Sequence, residues 1–292
     1  MKLRYIAIPT DLGGTAVSGC GTIHKTEIKE TLTKLSDDLF MPYDFNDYTL
    51  GSTGKREYSG DIDLVVDHHW WDHGVTAFRE NLEEAFGKEC VARNGDMLHL
   101  RYKIEGYNST LDRAKPRTGY VQIDFNIGDK NWEQFYHYSD GDLSEYKGAH
   151  RNLILAAICS AVNNSKSDEK DSWGRPVTQI RWKWGSKGLI QVSRKTIKSS
   201  KTGLWLQNQA DENIQGPITQ PDMIARILLP EDGSAKDLLS LETIMEAVKR
   251  NYGMVDQERI WKRTAENFAA WNQGKLFEYP SEISRYFLSN DK

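Results

Sequence analysis

Asp61 and Asp63 stand at the head of an apolar run, Leu64-Val65-Val66, with eight residues separating them from a Gly-Ser pair, Gly51-Ser52. Side chains alternate along a strand with period two, so carboxylates at i and i+2 share one face. Two like charges held that close repel unless a cation lies between them, and the arrangement favours a divalent metal. A third carboxylate, Asp124, sits in a similar strand-like stretch, Tyr120 to Ile127. Three converging aspartates beside a small, donor-rich turn are the minimal kit for two-metal phosphoryl transfer. Asp-x-Asp alone is a common tripeptide on a solvated strand edge. The upstream Gly-Ser, the spacing, the apolar strand and the third aspartate agree with one another, and that agreement carries the metal reading.

The turn has its own chemistry. Gly51 lacks a Cβ, so its backbone can approach a phosphate, with its amide and the Ser52 hydroxyl as donors. Lys55 and Arg56 lie between this turn and the aspartates and are candidates to contact a triphosphate; solvated side chains on a Gly-rich turn are the plainer alternative. The string Gly51-Ser52-Thr53-Gly54-Lys55 is not a Walker A loop. That loop needs four residues between its glycines and Ser or Thr after the lysine, whereas here two residues intervene and Arg56 follows.

Gly-Ser, a short loop, Asp-x-Asp on a strand and a third Asp on a neighbouring strand resemble the signature of the nucleotidyltransferase superfamily. That superfamily includes DNA polymerase beta, poly(A) polymerases, CCA-adding enzymes and small antibiotic and toxin nucleotidyltransferases. The resemblance covers roughly the first half of the chain. It implies a small mixed sheet backed by helices, two Mg²⁺ (or Mn²⁺) ions and a nucleoside triphosphate. Asp61 and Asp63 would bridge both ions, one holding the triphosphate and the other lowering the pKa of the attacking hydroxyl. Asp124 would complete the second site and accept the acceptor's proton. The second half of the chain has no match to tRNA-end or poly(A) accessory motifs, so the acceptor stays open among nucleic acid, protein and small molecule, with second-messenger synthesis a further branch.

The elements that must position these residues follow from periodicity. Ile28, Leu32, Leu35 and Leu39 predict an amphipathic helix over 26–39. Asp44 to Leu50 reads as a short strand leading into Gly51, and Asp61 to Asp67 as the next strand. Asp72 to Phe86 reads as a helix with Asp72 as N-cap and Gly87 as its stop. Met97 to Ile104 and Tyr120 to Ile127 read as strands, and Gly148 to Val162 as a buried helix. Beyond it, residues 172–210 contain no Asp or Glu but eight basic residues, Arg175, Arg181, Lys183, Lys187, Arg194, Lys195, Lys198 and Lys201. Thr178 to Trp184 and Leu189 to Ile197 flank Gly185-Ser186-Lys187-Gly188, a hairpin signal, with Leu204 to Gln207 as a third strand. Helical patterns follow over 221–229, 238–252, 257–271 and 281–288. The expectation is an α+β chain divided near residue 147: a catalytic half (1–147), then a mostly helical half (148–292) carrying a basic antiparallel β-meander at about 172–210.

In the meander, Arg181 and Lys183 would project from one face and Ile180, Trp182 and Trp184 from the other. The tryptophans are read as core. The cations, with Arg194 and Lys195, are candidates for contact with RNA, another nucleic acid or polyphosphate, or with an acidic protein surface. His68, His69 and His73 cluster after the Asp63 strand beside Trp70 and Trp71; packing with exposed imidazoles is the plainer reading, and a zinc role the sharper one. Lys147, His150 and Arg151 read as an ordinary polar helix start, with triphosphate contact as the alternative.

Composition bounds the rest. The 292-residue chain carries a net charge of -4, so it is no global polycation. Cys20, Cys90 and Cys159 are widely spaced, which suggests reduced thiols in a cytoplasmic protein. The longest apolar run, Leu153 to Val162, is about half a bilayer span, and the first residues lack a secretory signal pattern. Two other classes stay open: a binding module of the same fold without turnover, and a metal-dependent glycosyltransferase, which also uses Asp-x-Asp but fits Gly51-Ser52 and Asp124 poorly.

Overall fold

The computed structural model describes residues 16–111, 117–139, 144, 146, 148–162, 164–166, 177–198, 202, 205–207, 212–271 and 279–287. The chain is α+β and forms two units, one within residues 8–147 and the other from residue 148 onward.

In the first unit, β1 (Ile23–His24) leads directly into α1 (Lys25–Asp38), and β1 pairs with β2 (Tyr58–Ser59). The start of α1 is closed by a capping box in which the His24 amide donates to Glu27 at 3.0 Å. Next come β3 (Asp61–Asp67), α2 (Gly74–Phe86), β4 (Val91–Asn94), β5 (Met97–Lys103), β6 (Tyr120–Gly128) and α3 (Lys130–Tyr136). Four of these strands form a mixed sheet in the order β3-β6-β5-β4, with β3 parallel to β6 and the other pairs antiparallel.

Period-two alternation divides that sheet into two chemically distinct faces. Ile62, Leu64 and Val66 of β3, Leu98, Leu100 and Tyr102 of β5, and Val121, Ile123 and Phe125 of β6 join one core with Ile28, Leu32 and Leu35 of α1 and Phe78 and Leu82 of α2. Phe78 meets Phe125 edge-on at 5.2 Å and Trp71 at 5.1 Å. Phe78→Ala is expected to cost about 3–5 kcal/mol. Urea denaturation measures it, and a loss below ~1 kcal/mol would mean that the ring is not part of this core.

Two local expectations are corrected here. Asp44 to Leu50 is not a strand: Phe45–Tyr48 is a 3-10 turn, and a single antiparallel bridge, Thr49 to Leu64, remains. The Asp44 carboxylate accepts from the Asn46 amide at 2.9 Å, which fixes the turn and buries Phe45. Asp72 is not the cap of α2. The N-cap is His73, without a side-chain hydrogen bond, and Gly74 at φ 79° makes the turn into the helix.

The second unit starts with α4 (Gly148–Ala161) and continues through β7 (Asn164–Lys166), β8 (Thr178–Gly185), β9 (Gly188–Lys198), β10 (Trp205–Gln207) and β11 (Glu212–Ile218). Then come α5 (Pro221–Leu228), α6 (Leu241–Asn251), α7 (Met254–Trp271) and α8 (Ser281–Ser284). The strands make one antiparallel sheet, β10-β9-β8-β7, with β11 also pairing β9. Gly185 pairs with Gly188 across the expected hairpin turn. Helix α6 starts later than its apolar pattern, because the Ser240 hydroxyl accepts from the Thr243 amide at 3.2 Å and a 3-10 turn, Ala235–Leu238, precedes it. Lys147, Arg175, Lys201, Leu204 and Leu288 lie outside the described residues.

Candidate functional site

The parallel register of β3 and β6 sets Asp63 directly beside Asp124 and Asp61 beside Gln122. Paired residues of adjacent strands project to the same side, so all three aspartates occupy the polar face, opposite the core. Burial, then Asp61, then Asp124 push the Asp63 carboxyl up to about 8. Such a group sheds its proton readily only when positive charge arrives.

The Gly-Ser turn is tied to Asp63 on both sides. The Leu50 amide donates to the Asp63 carbonyl at 2.8 Å, and the Asp63 amide donates to the Thr53 hydroxyl at 3.1 Å. Gly51 has φ 62°, and a Cβ there would lie 3.3 Å from Asp63 Oδ2. A glycine therefore serves twice at this position, for the left-handed backbone and for the close approach to the carboxylate. Ser52 shares the turn, its carbonyl accepting from the Lys55 amide at 3.1 Å. Lys55 Nζ donates to the Ser139 carbonyl and lies 4.7 Å over the Tyr138 ring. Arg56 is exposed.

Asp124 is held by two residues that the sequence pattern does not single out. His99 Nδ1 lies 2.8 Å from Asp124 Oδ1, and Gln122 Nε2 donates to the same oxygen at 2.7 Å. Gln122 Oε1 in turn accepts from the amides of Ala16 and Val17, at 3.0 and 3.1 Å, which fixes the orientation of its amide group. His99, Gln122 and Asp124 are all buried. The signal for His99 was its place opposite Asp124 in the antiparallel β5–β6 pair, and that register is not legible without the fold.

Among the described residues, the group of three ligating side chains whose donor atoms all lie within 4.8 Å of one another is Asp67, His68 and His69. The three sequence-predicted aspartates share a face without closing to that distance. His73 stands apart from the other histidines, 3.3 Å from Asp72 and edge-on to Trp71.

The cysteines offer no nucleophile at neutral pH in two of three cases: burial pushes Cys20 up to about 11 and Cys159 up to about 12. Cys90 Sγ accepts from Arg101 Nη2 at 3.4 Å.

In the second unit, Arg181, Lys183 and Arg194 share one face of the β8–β9 pair by register, together with Val192 and Ile190. Lys195 falls opposite Thr178, one position out of step with Arg194. The other face carries buried Trp184, whose indole donates to Asn152 of α4 at 3.2 Å. His150 and Arg151 are not surface residues of a polar helix start. His150 is enclosed by Phe268 and Trp271 at 5.2 and 5.0 Å, and buried Arg151 donates to the Leu238 carbonyl. No helix among the described residues is long and apolar enough to cross a membrane.

No family model and no curated protein matches the chain. Among solved structures it is similar to polymerase beta of Leishmania infantum in its ternary gap complex. The TM-score is 0.33 and the identity 14%, over 90% of this chain and 70% of that one. A likeness that loose carries no argument, and the functional reading rests on the site itself.

Proposed function

We propose that the chain is a metal-dependent nucleotidyltransferase, moving a nucleoside monophosphate from a triphosphate to an acceptor hydroxyl with release of pyrophosphate. The single observation that carries this reading is the juxtaposition of Asp61, Asp63 and Asp124 on one face of the β3–β6 pair, with Gly51 against Asp63. The residues suit the ions: burial, and then the charges of Asp61 and Asp124, destabilise the carboxylate of Asp63, and divalent cations with oxygen ligands offset both. Asp61, Asp63 and Asp124 would hold Mg²⁺ or Mn²⁺, which supplies charge neutralisation to the transferring phosphoryl group and acidifies the attacking hydroxyl. The Gly51 amide and Ser52 hydroxyl would receive triphosphate oxygens, with Lys55 and Arg56 nearby along the turn. His99 and Gln122 keep Asp124 in one rotamer. Catalysis by this set is positioning and electrostatics.

For the acceptor we propose a nucleic acid, RNA first, because Arg181, Lys183 and Arg194 line one sheet face in a stretch without acidic residues. The test offers purified protein and Mg²⁺ or Mn²⁺ each α-labelled triphosphate, alone and with total RNA, single-stranded DNA or cell lysate. A variant carrying Asp61→Ala and Asp63→Ala serves as control. Label moved to a macromolecule by the wild type alone is the expected result, and the labelled species names the acceptor. No label transfer and no pyrophosphate with any acceptor would overturn the assignment. Reversing the charge at Arg181, Lys183 and Arg194 is expected to weaken RNA binding and to lower the salt slope by about one per contact removed. Unchanged binding would shift the acceptor to a protein or small molecule.

A further inference from the structure

At the end of β3 the chain leaves the sheet through Asp67, His68 and His69, and this turn is fixed by backbone bonds on both sides. The His68 amide donates to the Gly128 carbonyl at 3.0 Å, and the Trp70 and Trp71 amides donate to the Asp67 carbonyl at 2.9 and 3.1 Å. The Asp67 carboxylate accepts from the His69 amide at 2.9 Å, while His69 Nδ1 lies 2.9 Å from the same oxygen. The His68 and His69 rings stack at 4.6 Å and 26°. One carboxylate oxygen and two imidazole nitrogens therefore converge within 4.8 Å on a short segment whose backbone is already ordered. Little backbone entropy is left to lose on binding an ion.

We propose that Asp67, His68 and His69 bind one divalent transition-metal ion of the zinc class, separate from the carboxylates of Asp61, Asp63 and Asp124. Imidazole paired with carboxylate selects Zn²⁺ and its neighbours over Mg²⁺, which prefers all-oxygen octahedra. Both imidazoles are exposed, so water can complete a four-coordinate shell. On binding through His69 Nδ1, the ion takes the place of the contact with Asp67, and the neutral imidazole carries its one proton on Nε2. The assignment stands whether or not the chain transfers nucleotides.

The test is calorimetric titration with Zn²⁺ in excess Mg²⁺, which keeps the oxygen-only cluster filled. The wild type is expected to take up one equivalent at this turn. His68→Ala with His69→Ala should weaken uptake by ~30-fold or more; Asp67→Asn, which keeps the turn's acceptor but not its charge, should weaken it by at least ~10-fold. His73→Ala should leave it unchanged. Because the two imidazoles are exposed, the variants retain the fold, and circular dichroism checks this. Imidazole ¹⁵N shifts on adding Zn²⁺ should move at His68 and His69. Zn²⁺ uptake equal in the wild type and the double variant, or no uptake by the wild type up to ~0.1 mM (Kd above the micromolar range), overturns the proposal.

Discussion

Asp61→Ala and Asp63→Ala should each lower transfer by at least ~10³-fold, equivalent to about 4 kcal/mol of transition-state stabilisation, without loss of the fold. The reason lies in where these residues sit. Neither contributes to the core that Ile62, Leu64 and Val66 build with α1 and α2, so truncating them leaves the packing alone. What disappears is the cation-binding face. Asp63→Asn sharpens the contrast. In the metal-free protein, Asp63 either keeps its proton or bears the cost of a buried charge and of repulsion from Asp61 and Asp124, and an amide does neither. The variant should therefore be inactive and yet more stable near pH 8. The gain should be on the order of 2 kcal/mol, a discounted share of the ~1.4 kcal/mol that each pH unit of displacement can carry. Turnover assays and urea denaturation in parallel read both effects. Full activity in either alanine variant would falsify the assignment; a stability loss comparable to that of Phe78→Ala would make Asp63 a structural residue instead.

The second large effect is on pH dependence. The Asp63 carboxyl is raised from 3.8 to about 8 in the folded, metal-free protein. A folded-state value above the unfolded one means that the folded state holds the proton more tightly. Below pH 4 the group is protonated in both states and costs nothing. As pH rises from about 4 towards 8, the unfolded chain releases its proton first, and the metal-free fold loses stability through this group. A divalent ion competes with that proton. Apparent Mg²⁺ affinity should therefore rise by up to ~10-fold per pH unit below about 8 and level off above it. In saturating Mg²⁺ the stability trend of this group disappears over that window, because the ion-bound carboxylate, like the unfolded one, holds no proton. Calorimetric Mg²⁺ titrations and melting curves across pH 6 to 8.5, with and without the ion, measure both slopes. Asp63→Asn should flatten them. Mg²⁺ affinity that is flat with pH in the wild type would show that the ion does not displace a proton from this cluster.

Much of the site was legible because its chemistry is local. The alternation in Asp61 to Asp67 identifies a strand and puts Asp61 and Asp63 on one side of it, whatever the rest of the chain does. Helix α1 likewise announces itself through Ile28, Leu32 and Leu35, and the β8–β9 hairpin through its paired glycines. Asp44 to Leu50 misleads for the complementary reason. Its alternating residues suit a strand, but Asp44 bonds Asn46 locally and Phe45 is drawn into the core, and tertiary packing overrides the weak β preference. The short elements β4, β7, β11 and α3 carry too few periodic residues to be read one by one. The buried setting of His150 depends on aromatic residues more than a hundred positions away, Phe268 and Trp271, and Arg151 finds its acceptor in the distant Leu238 carbonyl.

The sequence by itself determined that two carboxylates share a strand face behind a glycine turn and that a cationic hairpin follows, since both depend only on backbone periodicity over a few residues. Only the tertiary structure decided that Asp124 lies beside Asp63, that His99 and Gln122 hold it, that Thr53 and Leu50 clamp the turn to Asp63, and that Asp67, His68 and His69 converge. Each of those depends on the register between strands or on the path of a turn. A register is selected by burying one whole face of the sheet at once, so no short window of residues contains it.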